Sequence, residues 1–326
     1  MELSVGSLFS GIGGIDIAFQ QAGFNIKWAV ENDPACCRTY RYNFSDSNLI
    51  EKDIRLVNSA KLERVNVLIA GFPCQAFSIG GFQRGFEDKR GNLFFEIKKF
   101  ITCNEPRFVF LENVPDLIEH DKGKTFIHIH NLFSELNYTL RYKVMRASEY
   151  GGVPQIRDRI YVVAFRDDVD CEKFSFPEKI ELTTSIEEVL QRNVKKHDVY
   201  YYDKGDPFYF KANNIMDRKD SIYRVYHESI KRTQNRMCPT FTASMGTRLN
   251  QVHLVRDNFG VRKLTINECL HFQGFPDEFR FPNTITLNDA YKQIGNSACV
   301  PIIKQIGNSV CVPIIKQIAQ NILDVM

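Results

Sequence analysis

Long apolar runs are missing from this chain of 326 residues. None is long enough to span a bilayer, and the N-terminal stretch lacks a signal-peptide pattern, so a cytoplasmic protein without membrane attachment is expected. Paired cysteines are missing as well. The nine cysteines are scattered, odd in number and never spaced as CxxC, which argues against both a disulfide framework and a zinc site. Cys36 and Cys37 are adjacent and suit neither role. No metal is expected, and a reducing compartment fits best. Nor is there a large charge imbalance, the formal net charge being +3. Its distribution is uneven, however: Gln191 to Arg236 carries 11 Lys and Arg against 6 Asp and Glu. A local basic excess suits a polyanion partner, although a solvated surface produces the same count.

What is present is a series of short apolar runs, each followed by a turn or a polar group. Val65 to Ala70 reads as a buried strand that Gly71 and Pro73 terminate, leaving Cys74 at the carboxyl end of a sheet. In open α/β sheets ligands sit at that edge. A thiol there becomes a nucleophile if a cation, a helix N-terminus or a hydrogen-bonding neighbour lowers its pKa; otherwise it is a small buried hydrophobe. Upstream, a strand from Leu3 to Phe9 runs into Ser10-Gly11-Ile12-Gly13-Gly14 and then a helix with Ile15, Ala18, Phe19 and Ala22 on one face. This is a Rossmann-like opening, with glycines falling as GxGG rather than GxGxxG, and it lets backbone approach a ligand closely. A second strand, Ile26 to Val30, ends in Glu31 and Asn32, where a carboxylate can accept both hydroxyls of a ribose. A nucleoside cofactor is therefore expected. Asp53, beside Ile54 at the end of a further short strand, is either an acceptor for an adenine amino group or a helix N-cap.

Arg107 to Leu111 is another buried strand, with Glu112-Asn113-Val114 at its carboxyl end, facing the same edge as Cys74. A partly desolvated carboxyl beside a thiol suits proton donation. A helix is predicted over Lys124 to Leu136, and strands over Tyr138 to Ala147 and Arg159 to Phe165, paired at the far edge. Between them, Arg157 and Arg159 flank Asp158. They can bind a carbonyl oxygen, a phosphate or Glu112, or form a structural ion pair with Asp158. The glycine-rich, basic stretch from Phe77 to Arg90 is either a lid over a nucleic acid or an ordinary surface loop.

Taken in order, Phe9-Ser10-Gly11-Ile12-Gly13-Gly14, Glu31-Asn32, Asp53-Ile54, Gly71-Phe72-Pro73-Cys74-Gln75, Glu112-Asn113-Val114 and Gln155-Ile156-Arg157-Asp158-Arg159 resemble the DNA (cytosine-5)-methyltransferases. Arg262-Lys263-Leu264-Thr265 through Gln273-Gly274-Phe275-Pro276, and Tyr291 through Ser297, extend the likeness over nearly the whole chain, leaving about Cys171 to Gln251 unmatched. The resemblance implies an α/β, SAM-dependent methyltransferase (Rossmann-like) sheet with a smaller target-recognition domain. It implies S-adenosylmethionine (SAM) as methyl donor, held by Phe9, Gly11, Gly13, Gly14, Glu31, Asn32, Asp53, Ile54, Pro73, Leu93 and Asn296. Cys74 would add to C6 of a cytosine drawn out of duplex DNA, with Glu112 on the ring's N3 and amino edge, Arg159 on its carbonyl and Arg157 in support. Ser78, Arg84 and Arg90 of the lid and Thr240 would contact DNA. Two departures stand out. Gly80 replaces a serine found in one bacterial subgroup, and Phe241 replaces a small aliphatic residue beside Thr240. A type II restriction–modification methylase acting as a monomer is implied, with residues 1–190 and 288–326 catalytic and 191–287 recognising the target.

The C-terminus departs further. Lys292 to Ile303 is followed at once by a near-identical copy, Lys304 to Ile315, in which Val310 replaces Ala298. The family needs one Gly-Asn-Ser turn at the cofactor. Asn296 is the expected one, with Asn308 the alternative, and a bulged loop rather than a longer helix is expected for the surplus residues. Three rival readings share parts of the pattern. An RNA cytosine methyltransferase would use the same catalytic residues. An NAD-dependent oxidoreductase would use the glycine turn but leave Cys74 and Glu112 unexplained. A catalytically inert DNA-binding module is the third.

Overall fold

The computed structural model describes residues 3–72, 92–226, 229–233, 236–245 and 252–309. Packing divides the chain into two compact units, one of Met1–Met145, Asp158–Glu178 and Val300–Met326, the other of Arg146–Arg157 and Lys179–Cys299. The expected domain limits, 190/191 and 287/288, both fall inside the second unit.

The first unit is built on strands β1 (Ser4–Leu8), β2 (Asn25–Glu31), β3 (Asn48–Glu51), β4 (Val67–Ala70), β5 (Phe108–Asn113) and β6 (Tyr138–Arg146). A two-residue strand β7 (Gln155–Ile156) belongs to the second unit, and β8 (Asp158–Arg166) returns to the first. The sheet order is β3-β2-β1-β4-β5-β8-β6. Pairings from β3 to β5 are parallel, while β8 lies antiparallel to β5. The predicted edge pair is therefore present as β8 and β6. Every residue of β1 and β4 is buried, as their unbroken apolar runs require of strands covered on both faces. Helices α1 (Gly14–Gln21), α2 (Pro34–Asn43), α3 (Asn92–Asn104) and α4 (Lys124–Glu135) join them. One continuous core holds Trp28, Leu68, Phe94, Phe100, Val109, Phe133 and Val162. The order reverses between β1 and β4, so the crevice at their carboxyl ends is the topological switch point. Phe9 and Gly71 stand there.

The second unit holds α5 (Ala147–Tyr150), α6 (Ile186–Leu190), α7 (Pro207–Ile215), β9 (Ile222–Tyr226), β10 (Ser229–Arg232), β11 (Cys238–Pro239), β12 (Leu254–Arg256), β13 (Val261–Lys263), α8 (Ile266–Phe272) and α9 (Leu287–Asn296). Strands β10-β9-β12-β13 form an antiparallel sheet, and β11 pairs with β7. Aromatic residues beside the basic stretch go into this unit's own packing: Tyr202, Phe208 and Tyr209 lie on the cluster of Met216, Tyr223 and Leu254. Arg262 is fully buried between Asp257 (2.6 Å) and Glu268 (2.7 Å). Glu268 also closes a capping box with Thr265 at the start of α8.

The doubled segment adopts two conformations. In the first copy Lys292 to Asn296 ends α9, Ser297 caps it in extended geometry, and a new helix begins at Val300. In the second copy residues 304–309 continue that new helix. The bulged loop expected for the surplus residues is therefore not what those six form. Ile302, Ile303 and Ile306 fall on one buried face. Gly307 comes so close to α1 that a Cβ on it would lie 2.9 Å from that of Ala22.

Candidate cofactor and catalytic site

The glycine turn is shaped by backbone. Phe9, Gly11 and Gly13 all have positive φ (55°, 56° and 86°), and Gly13 is the N-cap of α1. At Gly13 a side chain is barred twice, by the left-handed backbone and by the Phe44 ring, which a Cβ would meet at 2.2 Å. Phe9 holds the same conformation without glycine's freedom, the kind of strain that gathers at ligand sites. Beneath the turn, Asp16 is fully buried and accepts from Tyr40 (2.8 Å) and Ser7 (3.1 Å). Burial pushes its carboxyl up to about 6.

Glu31 closes the turn from the next strand. One carboxylate oxygen accepts from Gly11 N (2.8 Å), the other from Asn32 N and Asp33 N (2.8 Å each). An ionised carboxylate has about four acceptor positions, so room remains for a hydroxyl. Asp53 accepts from its neighbour Arg55 through backbone N–H (2.9 Å) and both sides of the guanidinium (2.8 and 2.5 Å). It thus caps the turn Ile54–Leu56 and faces the cleft at once. The Arg55 guanidinium draws its carboxyl down to about 2, so it stays an acceptor at any physiological pH. Phe9, Glu31, Asn32, Asp53, Ile54 and Leu93 line one cleft of about 150 Å³, together with Val30, Lys52 and Arg55. An aromatic and aliphatic floor with two carboxylates at its rim suits an adenosine, whose ring is apolar on its faces and whose amino and ribose edges donate.

On the other side of the switch point, Glu112 and Arg159 meet across β5 and β8. Glu112 is opposite Tyr161 in the ladder, which puts Arg159 diagonally on the same face. Their ion pair is 3.1 Å and largely enclosed, the side chains being 13% and 14% exposed. Arg159 also donates to Asp158 O at 2.7 Å. Arg157 behaves differently: its side chain is buried in the second unit, where it donates to the carbonyls of Phe241 (3.2 Å) and Ser297. Thr240 donates to Ile156 O at 2.5 Å. Phe241 is buried against His253 and Phe272, which accounts for a large residue where a small one was expected. Asn296 is exposed at the end of α9. Pro73, Cys74, Ser78, Arg84 and Arg90 lie outside the described residues.

Two contributors were missed in the sequence. Arg55 had a signal, its spacing of two from an Asx cap. Asn113 had none beyond its place beside Glu112: its amide donates to Phe72 O at 3.1 Å, holding the chain immediately before Pro73-Cys74 against the end of β5. Among the described residues no group of three His, Cys, Asp or Glu is arranged to hold a metal, and no helix is long and apolar enough to cross a membrane.

A sheet of this order with a glycine turn, a carboxylate-ended second strand and a cleft at the switch point defines the SAM-dependent methyltransferase fold. The solved structures of S. pombe Dnmt2 methyltransferase (TM-score 0.74, 18% identity, covering 96% of this chain and 99% of that one) and Entamoeba histolytica methyltransferase EhMeth (0.72, 20%, 94% and 97%) share it. The chain belongs to the C-5 cytosine-specific DNA methylase family, which matches residues 3–306. The type II methyltransferase M.Bsp6I of Bacillus sp. (strain RFL6) is 40% identical over 304 residues, 92% of this chain and 96% of that protein. M.HhaI of Haemophilus parahaemolyticus is 32% identical over 318 residues, 91% and 90% of the two chains. The enzyme class expected from sequence, a DNA (cytosine-5)-methyltransferase of the bacterial type II kind, is borne out, and an oxidoreductase is set aside.

Proposed function

We propose that the protein methylates C5 of a cytosine flipped out of a specific duplex DNA sequence, as a cytoplasmic monomer protecting DNA from a cognate endonuclease. SAM supplies an electrophilic methyl group when bound in the cleft of Phe9, Glu31 and Asp53. The rest is done by side chains. A C5 carbon in an aromatic ring is a poor nucleophile. Addition of the Cys74 thiolate to C6 turns it into an enamine-like carbon, with Glu112 hydrogen-bonded at N3 and the amino group as charge shifts through the ring. Arg159 bonds the base carbonyl and keeps Glu112 oriented. Once C5 carries the methyl group, loss of its proton lets the C5–C6 double bond re-form and expels the thiolate. Residues 191–287, with their basic excess, serve as the recognition domain.

The observation that carries this proposal is the enclosed Glu112–Arg159 pair at the end of β5, next to an Asn113 that grips the residue before Pro73-Cys74. Duplex DNA containing 5-fluorocytosine tests it, because fluorine at C5 cannot leave as a proton does. With SAM present, a covalent complex should survive denaturing electrophoresis and vanish in Cys74→Ser. A folded, SAM-binding protein that forms no such complex would sink the mechanism.

A further inference from the structure

Arg55 lines the cofactor cleft, yet nothing in the proposed chemistry uses it. β2 and β3 run parallel with Glu31 opposite Glu51, so the two strands end side by side. Residues 52–55 then pass along the same cleft of about 150 Å³ that Glu31 lines. There Asp53 is held three times by one neighbour. Its Oδ1 accepts from Arg55 N (2.9 Å) and Nε (2.8 Å), and its Oδ2 accepts from Nη2 (2.5 Å). An ionised carboxylate has about four acceptor positions. Three are occupied, and the one left is on Oδ2. The planar fork also fixes where that oxygen points, since it grips both oxygens at once. An aspartate without it would turn and present either one. Arg55 keeps the group ionised as well, with its carboxyl at about 2, so Asp53 accepts and never donates. The Arg55 side chain is 51% exposed, and an ion pair so exposed adds little to stability. Its consequence lies in what Asp53 presents to the cleft.

We propose that Arg55 is a positioning residue that sets the base specificity of the cleft: it locks Asp53 as a single fixed acceptor, which selects a nucleoside whose base offers an amino hydrogen. This rests on the reading of the cleft as the seat of the cofactor's adenosine. Phe9, Ile54 and Leu93 give apolar surface that any flat ring can use, so discrimination falls to Asp53. A base lacking an N–H at that edge leaves Oδ2 unmatched, and one with a carbonyl there sets oxygen against carboxylate.

The test uses the full chain and calorimetric titration without DNA. It compares S-adenosylhomocysteine with its analogue carrying hydrogen in place of the 6-amino group. Wild type should bind the amino compound at least about tenfold more tightly, as one hydrogen bond to a charged acceptor provides. Arg55→Gln should bring that ratio below about threefold, mainly by weakening the amino compound. Arg55→Lys keeps the charge but not the fork and should lower the ratio in the same way. It also carries the test if circular dichroism shows the glutamine variant unfolded. A purely structural role for Arg55 would lower both affinities together and leave the ratio intact. A ratio near one in wild type, or an unchanged ratio in a folded Arg55 variant, overturns the inference. Failure of the underlying reading shows differently: Asp53→Asn would then change neither affinity. An Asp53→Asn that abolishes the ratio, beside an Arg55→Gln that preserves it, refutes the role of Arg55 alone.

Discussion

Glu112 and Arg159 stand diagonally across two strands, close enough that each fixes the other's position. Replacing Glu112 with Gln keeps the shape and a hydrogen-bonding edge but removes the group able to take and give a proton. Single-turnover methylation should slow by about 10²- to 10⁴-fold with SAM affinity nearly unchanged; a loss of affinity at full rate would assign Glu112 to the cofactor instead. A second residue tests the turn's foundation. Burial raises Asp16 to about 6, above the ordinary carboxylate value it has when unfolded. The folded state then holds an extra proton between about pH 4 and 6, so this group's contribution is present below about 4 and is lost as pH rises through 6. The loss is on the order of 2–3 kcal/mol. Denaturant unfolding of Asp16→Asn at pH 4 to 8 should show a flatter profile than wild type over that window. Parallel profiles would mean that Asp16 titrates normally.

At the scale of elements, legibility follows a physical rule. Phe9, Glu31, Asp53 and Glu112 could be located from sequence because each follows an apolar run, and a strand delivers its next residue to a predictable edge. Arg157 could not be placed this way. Its partners are backbone carbonyls, which every residue carries, so nothing in the letters at 241 or 297 marks them as acceptors. Arg262 is intermediate. It was recognisable as part of a motif, yet its burial between Asp257 and Glu268 emerges only when β13 meets α8. Arg262→Ala strands two buried carboxylates and is expected to cost about 3–5 kcal/mol. Thermal unfolding should show it, and a change under 1 kcal/mol would mean that water replaces the guanidinium there.

For the molecule as a whole, the duplication leaves two asparagines, Asn296 and Asn308, as candidates for the cofactor. Deletion cannot decide between them, because removing either copy leaves the same chain except for Ala298 or a valine in its place. Point substitution can. Asn296→Ala is expected to weaken SAM binding by about tenfold, the loss of roughly one hydrogen bond, while Asn308→Ala, at a helical position, should leave it unchanged. Equilibrium dialysis distinguishes them, and the reverse order would assign the turn to the second copy.

Lys-Gln-Ile-Gly-Asn-Ser thus occurs twice, once stopping a helix and once running through it. In both places the isoleucine is buried and the glycine faces a close neighbour, Thr242 O in one and Ala22 in the other. The hexapeptide is a natural matched pair in which composition is constant and surroundings vary. Six residues of local information do not decide whether this helix ends, since the same six end one helix and continue another.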